Sequence, residues 1–166
     1  MMSNQPINTT LINPVRESIH SVLIALAHMD LTLGDLNTKT KREFINGKSI
    51  TGIMNLVSNF AQASIVITFP EPTILNLANK IMPETVERVD AVVIDLVGEI
   101  TNMVSGGVKR MLENEGYLFD LSLPTIMMGS HYLIAYLPDA PIIVTSVSTS
   151  YGDFTVEASF EGSIDF

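Results

Sequence analysis

One segment of the chain, from Glu84 to Glu115, repeats apolar residues at the three- and four-residue intervals of an α-helix. Gly116 follows the last turn and is suited to close it as a C-cap, because glycine adopts the left-handed conformation without strain. The pattern therefore predicts one long helix that buries a single face. The residues on that face are Val86, Val89, Val93, Val97, Ile100, Val104 and Met111.

A second helix is predicted near the beginning of the chain. Pro14 suits the first turn of a helix, with Asn13 as its N-cap. Apolar residues then recur at helical spacing until about Met29. The polar stretch that follows, 31–47, is predicted to form a short strand and loops.

Most of the remaining sequence is typical of β-strands separated by turns. A short helix interrupts them from Thr73 to Ile81, after Pro70-Glu71-Pro72, and Gly129 is predicted to separate two of the strands. The predicted strands are Ser49–Val57, Ala61–Phe69, Leu118–Met127, His131–Leu137, Pro141–Thr149 and Asp153–Phe160.

Helices and strands occur in both halves of the chain, and no low-complexity linker divides them. The sequence therefore predicts a single α+β domain spanning 1–166, with the helices packed on one face of a sheet. Residues 1–11 are expected to form a flexible N-terminal segment. Hydrophobic residues make up 46% and charged residues 16%, an apolar balance that favours an additional interface in a homo-oligomer.

Charge and residue usage exclude several classes of function. The net charge of −9 and the lack of a basic stripe argue against nucleic acid and anionic membranes as partners. There is no cysteine, so disulfides and thiolate sites are excluded. The N-terminus lacks the pattern of a secretory signal, and the apolar stretch Val22 to Ala27 is too short to span a bilayer. A cytoplasmic protein is expected.

The predicted long helix also carries a polar stripe. Its residues, which fall within a wedge of roughly 60° away from the apolar face, are Asp95, Glu99, Asn102 and Gly106. Two like charges four residues apart disfavour a helix slightly, and each of Gly106 and Gly107 costs about 1 kcal/mol relative to alanine. A solvated face is the commoner explanation of such a stripe, and glycines can simply permit close packing. The alternative is a surface that another molecule approaches closely.

The chemistry open to Glu99 and Asn102 is limited. A carboxamide is neither a nucleophile nor a useful acid or base, but it can hold and orient a water molecule. Orienting the attacking water is the main task left to protein groups in phosphoryl transfer, once a metal ion and a lysine neutralise the phosphate. The stripe therefore fits a helix that completes the active site of another protein better than it fits a self-contained enzyme.

The pattern Asp95-x-x-x-Glu99-x-x-Asn102, followed by Gly106-Gly107, Leu123-Pro124-Thr125 and Gly129, resembles the CheX branch of the CheC, CheX and FliY phosphatases. The resemblance implies a homodimer, with a mostly antiparallel sheet of about six strands in each subunit. It also implies that the protein is a hydrolase that dephosphorylates the response regulator CheY in chemotaxis. Carried over, Asn102 orients the hydrolytic water and Glu99 engages the active-site lysine of the regulator.

The same resemblance assigns supporting roles and a metal. Asp95, Gly106 and Pro124 match motif positions whose role is structural support or binding, not chemistry. The Mg²⁺ belongs to the regulator, so the chain needs no cofactor or metal of its own. Consistent with this, the three histidines His20, His28 and His131 are interpreted as structural or surface residues.

The first predicted helix repeats the spacing of the stripe. Asn13-x-x-x-Glu17-x-x-His20 matches Asp95-x-x-x-Glu99-x-x-Asn102, as an internal duplication of the CheC type would produce. His20 replaces the water-orienting amide, and an imidazole differs from it in shape and reach. We expect this second site to be vestigial and inactive.

Two other functions stay open at this point. The chain could be a binding module of the same fold that docks on a response regulator or a flagellar component without catalysis. It could also be a structural dimer with a solvated stripe. The sequence identifies neither the regulator, nor the pathway, nor the geometry of the dimer.

Overall fold

The computed structural model of the chain describes residues 12–39, 43–134 and 141–162. The predicted N-terminal segment 1–11 and the end of the predicted strand His131–Leu137 lie outside these residues. The helices are α1 (Ile12–Ala27), α2 (Glu71–Ile81) and α3 (Ala91–Asn114). The strands are β1 (Leu31–Leu33), β2 (Asn37–Lys39), β3 (Ile45–Val57), β4 (Ala61–Pro70), β5 (Asp120–Leu121), β6 (Thr125–Tyr132), β7 (Ile142–Thr149) and β8 (Gly152–Gly162).

The described strands form one sheet in which every pair is antiparallel. The order across the sheet is β1-β7-β8-β4-β3-β5, with β2 also on β7 and β6 also on β3. Since β1 and β2 share one edge and β5 and β6 share the other, the sheet is six strands wide. The predicted α+β class, the antiparallel sheet and its width are confirmed.

The two halves of the chain repeat one arrangement. Each half has a helix, then an edge strand in two pieces, then two long strands: α1, β1/β2, β3 and β4, followed by α3, β5/β6, β7 and β8. The second strand of each long pair meets its counterpart at the centre, where β4 pairs with β8. Exchanging the two halves reproduces the strand order, so the internal duplication expected from the sequence is present in the topology.

α1 and α3 pack together on one face of the sheet and cover the main core. α3 is long and apolar enough to cross a membrane, but half of that apolar stretch is buried inside the fold, as in the core helix of a folded domain. The largest side chains that are almost completely buried include Phe69, Ile12, Ile19, Leu23, Ile50, Met54, Ile67 and Ile100. Helix burial of this kind, rather than intrinsic propensity, supplies most helical stability.

Both long helices begin at positions different from those predicted. α1 begins at Ile12, so Asn13 lies in its first turn and is not the N-cap. α3 begins at Ala91 and not at Glu84. The Asp90 carboxylate caps it by accepting hydrogen bonds from the N–H groups of Val92 and Val93. Val86 continued the periodic pattern by coincidence.

The extended segment before α3 is held by another side chain. Asn79 of α2 accepts from the Val86 N–H at 2.7 Å and donates to the Val86 carbonyl at 2.9 Å. These bonds satisfy both backbone groups of Val86 outside any helix, which is why the apolar period misplaced the helix start.

Two predicted strand boundaries were also wrong. The predicted strand Leu118–Met127 is divided into β5 and β6 by the irregular residues 122–124. Gly129 does not end a strand but lies within β6, where it pairs with Ser49 of β3. Its φ is not in the left-handed region, so nothing in its conformation interrupts the ladder.

A polar group lies in the sheet on the face opposite the helices. Glu157 on β8 is 9% exposed, and its carboxylate forms an ion pair with Lys39 on β2. Burial raises the pKa of the Glu157 carboxyl and Glu43 adds to that effect, while the hydrogen bond and charge of Lys39 oppose it.

This pKa shift predicts a pH-dependent contribution to stability. Between the ordinary pKa of glutamate and the raised pKa of Glu157, the folded chain binds a proton that the unfolded chain has released, so stability falls as pH rises through that window. Glu157→Gln removes this linkage. We expect the free energy of unfolding of the variant, minus that of the wild type, to increase across the window in denaturant titrations. A flat or decreasing difference would contradict the assignment.

Candidate active site

α3 exposes the side chains that the sequence placed in its polar stripe. Asp95, Glu99 and Asn102 are all exposed, and Gly106 is half-buried. The opposite face packs into the core with side chains at most 2% exposed; it includes Val93, Val97, Ile100, Val104 and Val108. The structure thus brings the carboxylates and the amide together on one outward surface of a rigid helix.

A contact between α3 and β3 fixes where this surface lies. A Cβ at Gly52 of β3 would lie 1.9 Å from Thr101 Oγ1, so only glycine allows the helix to come this close. Thr101 is fully buried and its hydroxyl donates to the Val97 carbonyl at 2.7 Å. Asn102 follows directly in the chain, so its position depends on this contact.

The two adjacent glycines of α3 have different roles. A Cβ at Gly107 would lie 2.2 Å from Ser18 Oγ of α1, whose hydroxyl donates to the Val104 carbonyl at 2.7 Å. Gly107 is therefore required by helix–helix packing. A Cβ at Gly106 would meet only the Arg110 guanidinium, at the ordinary distance of 3.7 Å. The cost of Gly106 to the helix has no such structural explanation.

A third glycine, which the sequence analysis did not single out, completes the pattern. A Cβ at Gly98 would contact only Ile126 Cδ1, at 3.9 Å, so Gly98 is not required by packing either. Gly98 and Gly106 lie one turn before and one turn after Asn102. We call Gly98, Asn102 and Gly106 the bare strip, because the amide stands between two positions without side chains. The four-residue spacing of glycines around Asn102 was visible in the sequence.

Pro124 lies at the edge of the sheet beside this surface. It directly precedes β6, and Ile126 of β6 is the residue nearest to Gly98 of α3. From this contact α3 runs toward β5, where the chain returns after the helix ends, and β6 leads to Pro124 and β5 when it is followed back toward its N-terminus. Pro124 and Asn102 therefore lie on the same side of the Gly98–Ile126 contact.

The corresponding surface of α1 also exists. Asn13, Glu17 and His20 are exposed and line a shallow depression of about 430 Å³. The other lining residues are Arg16, Ser21 and Leu33. The second stripe is therefore assembled on a helix, as the repeated spacing predicted.

The two stripes differ in the side chains around their central residue. When Glu17 is matched with Glu99, Arg16 occupies the position of Gly98 and Ile24 the position of Gly106. Arg16 lines the depression and Ile24 is 40% exposed. The α1 surface therefore lacks a bare strip as well as the amide.

The histidines and the acidic residues do not assemble a metal site among the residues that the structure describes. The ring of His131 stacks on Phe44 at 4.3 Å between centroids, and its Nδ1 forms a hydrogen bond of 2.7 Å with Asn46 Oδ1. Its contacts are those of a surface residue at the end of β6.

Comparisons with known proteins identify the family. The family described as Chemotaxis phosphatase CheX matches residues 50–148. A CheC-like superfamily protein from Shewanella sp. PV-4 is 39% identical, with a TM-score of 0.85 and coverage of 93% of this chain and 99% of that one. The chemotaxis protein CheX from Vibrio vulnificus is 31% identical, with a TM-score of 0.82 and coverage of 91% and 99%.

A more distant structure shares the fold. It is CheX from Borrelia burgdorferi in its complex with CheY, BeF3 and Mg²⁺, at 22% identity and a TM-score of 0.77, with coverage of 91% of this chain and 97% of that one. No curated protein matches the chain. The family match spans more than half of the chain and the Shewanella protein matches nearly all of it, so this chain belongs to the CheX family of chemotaxis phosphatases.

Proposed function

We propose that this chain hydrolyses the aspartyl-phosphate of a CheY-like response regulator, with α3 as the helix that enters the regulator's active site. The observation that carries the proposal is the bare strip: an exposed carboxamide between two glycines that packing does not require. A helix surface of this shape lets a partner approach the backbone closely while Asn102 projects into it.

Asn102 is proposed to hold the attacking water in line with the phosphoryl group. The regulator's Mg²⁺ and lysine neutralise the charge of the phosphoryl group, so positioning is the contribution left to this chain. The carboxamide suits this role because it accepts a hydrogen bond from water through its oxygen and donates through its nitrogen. Its helix is anchored by the contact between Thr101 and Gly52, which keeps it in one place.

Glu99 is proposed to pair with the active-site lysine of the regulator. Its exposed carboxylate lies three residues before Asn102 on the same surface, so one docking movement brings both side chains to the partner. Asp95 adds a second exposed carboxylate one turn earlier, and Pro124 and Gly106 are proposed to support the partner at the rim.

The comparisons support this proposal at the level of the family. The matching family is a family of chemotaxis phosphatases, and a Borrelia burgdorferi protein with this fold has been solved with CheY, BeF3 and Mg²⁺. In such a complex BeF3 stands in for the phosphoryl group. We further propose that the chain acts in the cytoplasm, where such regulators act, and as a homodimer.

The first prediction from the proposed function concerns Asn102. We expect Asn102→Ala to reduce the accelerated release of phosphate from an acetyl-phosphate-charged CheY-like regulator of the same genome by about 100-fold, because the water loses its orientation. Asn102 is exposed, so the free energy of unfolding should change by no more than about 0.5 kcal/mol. His20→Ala, the matched change on α1, is the control and should retain the wild-type rate.

Equal rates for Asn102→Ala and the wild type would rule out the proposed mechanism. A wild-type chain that binds the phosphorylated regulator tightly without accelerating its decay would instead identify a non-catalytic binding module.

The second prediction separates the two adjacent glycines. We expect Gly106→Ala to stabilise the fold by about 0.5–1 kcal/mol, because alanine favours the helix and the added Cβ meets only the Arg110 guanidinium, at an ordinary contact distance. The same Cβ should obstruct the partner and lower kcat/KM. Gly107→Ala should destabilise the fold by about 1–3 kcal/mol, because its Cβ overlaps Ser18 Oγ. A Gly106→Ala variant with undiminished kcat/KM would show that the partner does not approach the bare strip.

The third prediction concerns the second stripe. We expect Glu17→Ala and His20→Ala, singly and together, to leave phosphate release unchanged, because Arg16 and Ile24 fill the positions that are bare on α3. A loss of activity in the double variant, with its thermal unfolding unaltered, would show that α1 also takes part.

A further inference from the structure

Leu123 is the most exposed large hydrophobic side chain among the described residues, at 88%. It lies between β5 and β6, in the edge that passes beside α3. A single exposed leucine needs no explanation by itself. The exposure of Leu123, however, follows from the conformation of the backbone around it.

Leu123 lies in a β-bulge of the edge between β5 and β6. Leu121 pairs with Leu56 and Thr125 pairs with Ile53. Four residue steps along the edge strand therefore lie opposite three residue steps along β3. One residue of the edge therefore has no partner and is pushed outward. Bulges of this kind re-aim side chains next to functional sites.

The bulge is held rigidly by Ser122. The Ser122 N–H donates to the Asn55 carbonyl at 3.0 Å, and the Asn55 N–H donates to Ser122 Oγ at 3.2 Å. Pro124 follows Leu123 and restricts its own φ and the conformation of Leu123. The leucine side chain is thus presented to solvent on a backbone that is already ordered, so little entropy is lost when a partner covers it.

The bulge lies beside Asn102. Gly98 lies next to Ile126. Asn102 is one helical turn closer to the C-terminus of α3 than Gly98, about 6 Å along the helix axis. Pro124 is two strand residues from Ile126 in the same direction, about 7 Å. Asn102 is also only about 40° around the helix from Gly98, which faces this edge. The bulge that contains Leu123 therefore lies next to the bare strip, on the side of the amide.

The opposite edge of the sheet provides an internal comparison. There Leu33 pairs with Val147 and Asn37 with Val144, so the same bulge recurs between β1 and β2. The Gly34 N–H donates to the Ser146 carbonyl at 2.7 Å, as Ser122 does to Asn55. The residue in the place of Leu123 is Asp35. The position of Leu123 is thus apolar beside the helix that carries Glu-x-x-Asn and charged at the other edge, where the neighbouring Leu36 is 40% exposed against 88% for Leu123.

We propose that Leu123 is a docking residue that inserts into an apolar recess on the response regulator, next to the active site that receives Asn102. This inference rests on the proposed function, because it takes the regulator as the occupant of the α3 surface. Glu99 and Asn102 offer the partner only polar contacts, and an apolar anchor at their margin supplies affinity that they lack. The anchor sets binding and not the chemical step.

Leu123→Asp tests this, because it introduces the residue found at the equivalent position of the other edge. We expect the KM for the phosphorylated CheY-like regulator of the same genome, and the Kd for its beryllofluoride-activated form, to rise about 10- to 100-fold. The kcat at saturating regulator should be unchanged. Asp35→Ala, at the matched bulge, is the control and should alter neither constant.

The outcomes separate this inference from the proposed function. Wild-type KM and Kd in Leu123→Asp, in a chain whose Asn102→Ala variant is inactive, would overturn the docking role and leave the proposed function intact. A fall in kcat with unchanged KM would also overturn it. Sedimentation velocity of the free chain provides a third test: if Leu123→Asp dissociates an oligomer and leaves regulator affinity unaltered, the leucine is covered by a second copy of this chain.

Discussion

The absence of a side chain at Gly52 is the constraint on which the candidate site depends. Because β3 has no Cβ at this point, the buried Thr101 hydroxyl group fits directly against the sheet. Gly107 likewise allows close contact between α3 and α1, because Ser18 of α1 occupies the space that a Cβ at Gly107 would fill. Two close contacts thus fix the height and the rotation of α3. The rotation of α3 in turn fixes the direction in which Asn102 and Glu99 project from its outward side.

The stability of α3 comes from its buried face, which frees its outer face for function. Gly98 and Gly106 each cost about 1 kcal/mol in a helix interior. Each of Val97, Ile100 and Val104 contributes roughly 1.5–3 kcal/mol when it is fully buried. The buried stripe therefore outweighs the glycines and the like charges of the exposed stripe. In the duplicated half, the equivalent outer face of α1 carries the side chains of Arg16 and Ile24 where α3 has glycine.

The sequence predicted the parts of the fold that follow from hydrophobic period and turn residues. The long helix, the neighbouring strands β3 and β4 and the polar stripe are such parts, and the amide and both carboxylates lie where the period placed them. The period could not show that Asn79 would hold Val86 outside the helix, because that contact involves a side chain of another helix. Nor could it distinguish Gly106 from Gly107, since the two differ only in that Ser18 of α1 packs against Gly107. The bulge at Leu123 depends on pairing register, which a single strand pattern does not contain.

The central claim is that α3, and not α1, completes the active site of a regulator. The chain has no cysteine, so a single cysteine can be placed at will. The direct measurement is disulfide trapping between Asn102→Cys, or His20→Cys, and a cysteine introduced beside the phosphoacceptor aspartate of the beryllofluoride-activated regulator. A disulfide requires close approach, with Cα atoms about 4.4–6.8 Å apart. If α3 enters the regulator, a cross-link forms from position 102 in the presence of beryllofluoride and none forms from position 20. Equal trapping at both positions, or trapping at position 20 alone, would contradict the central claim.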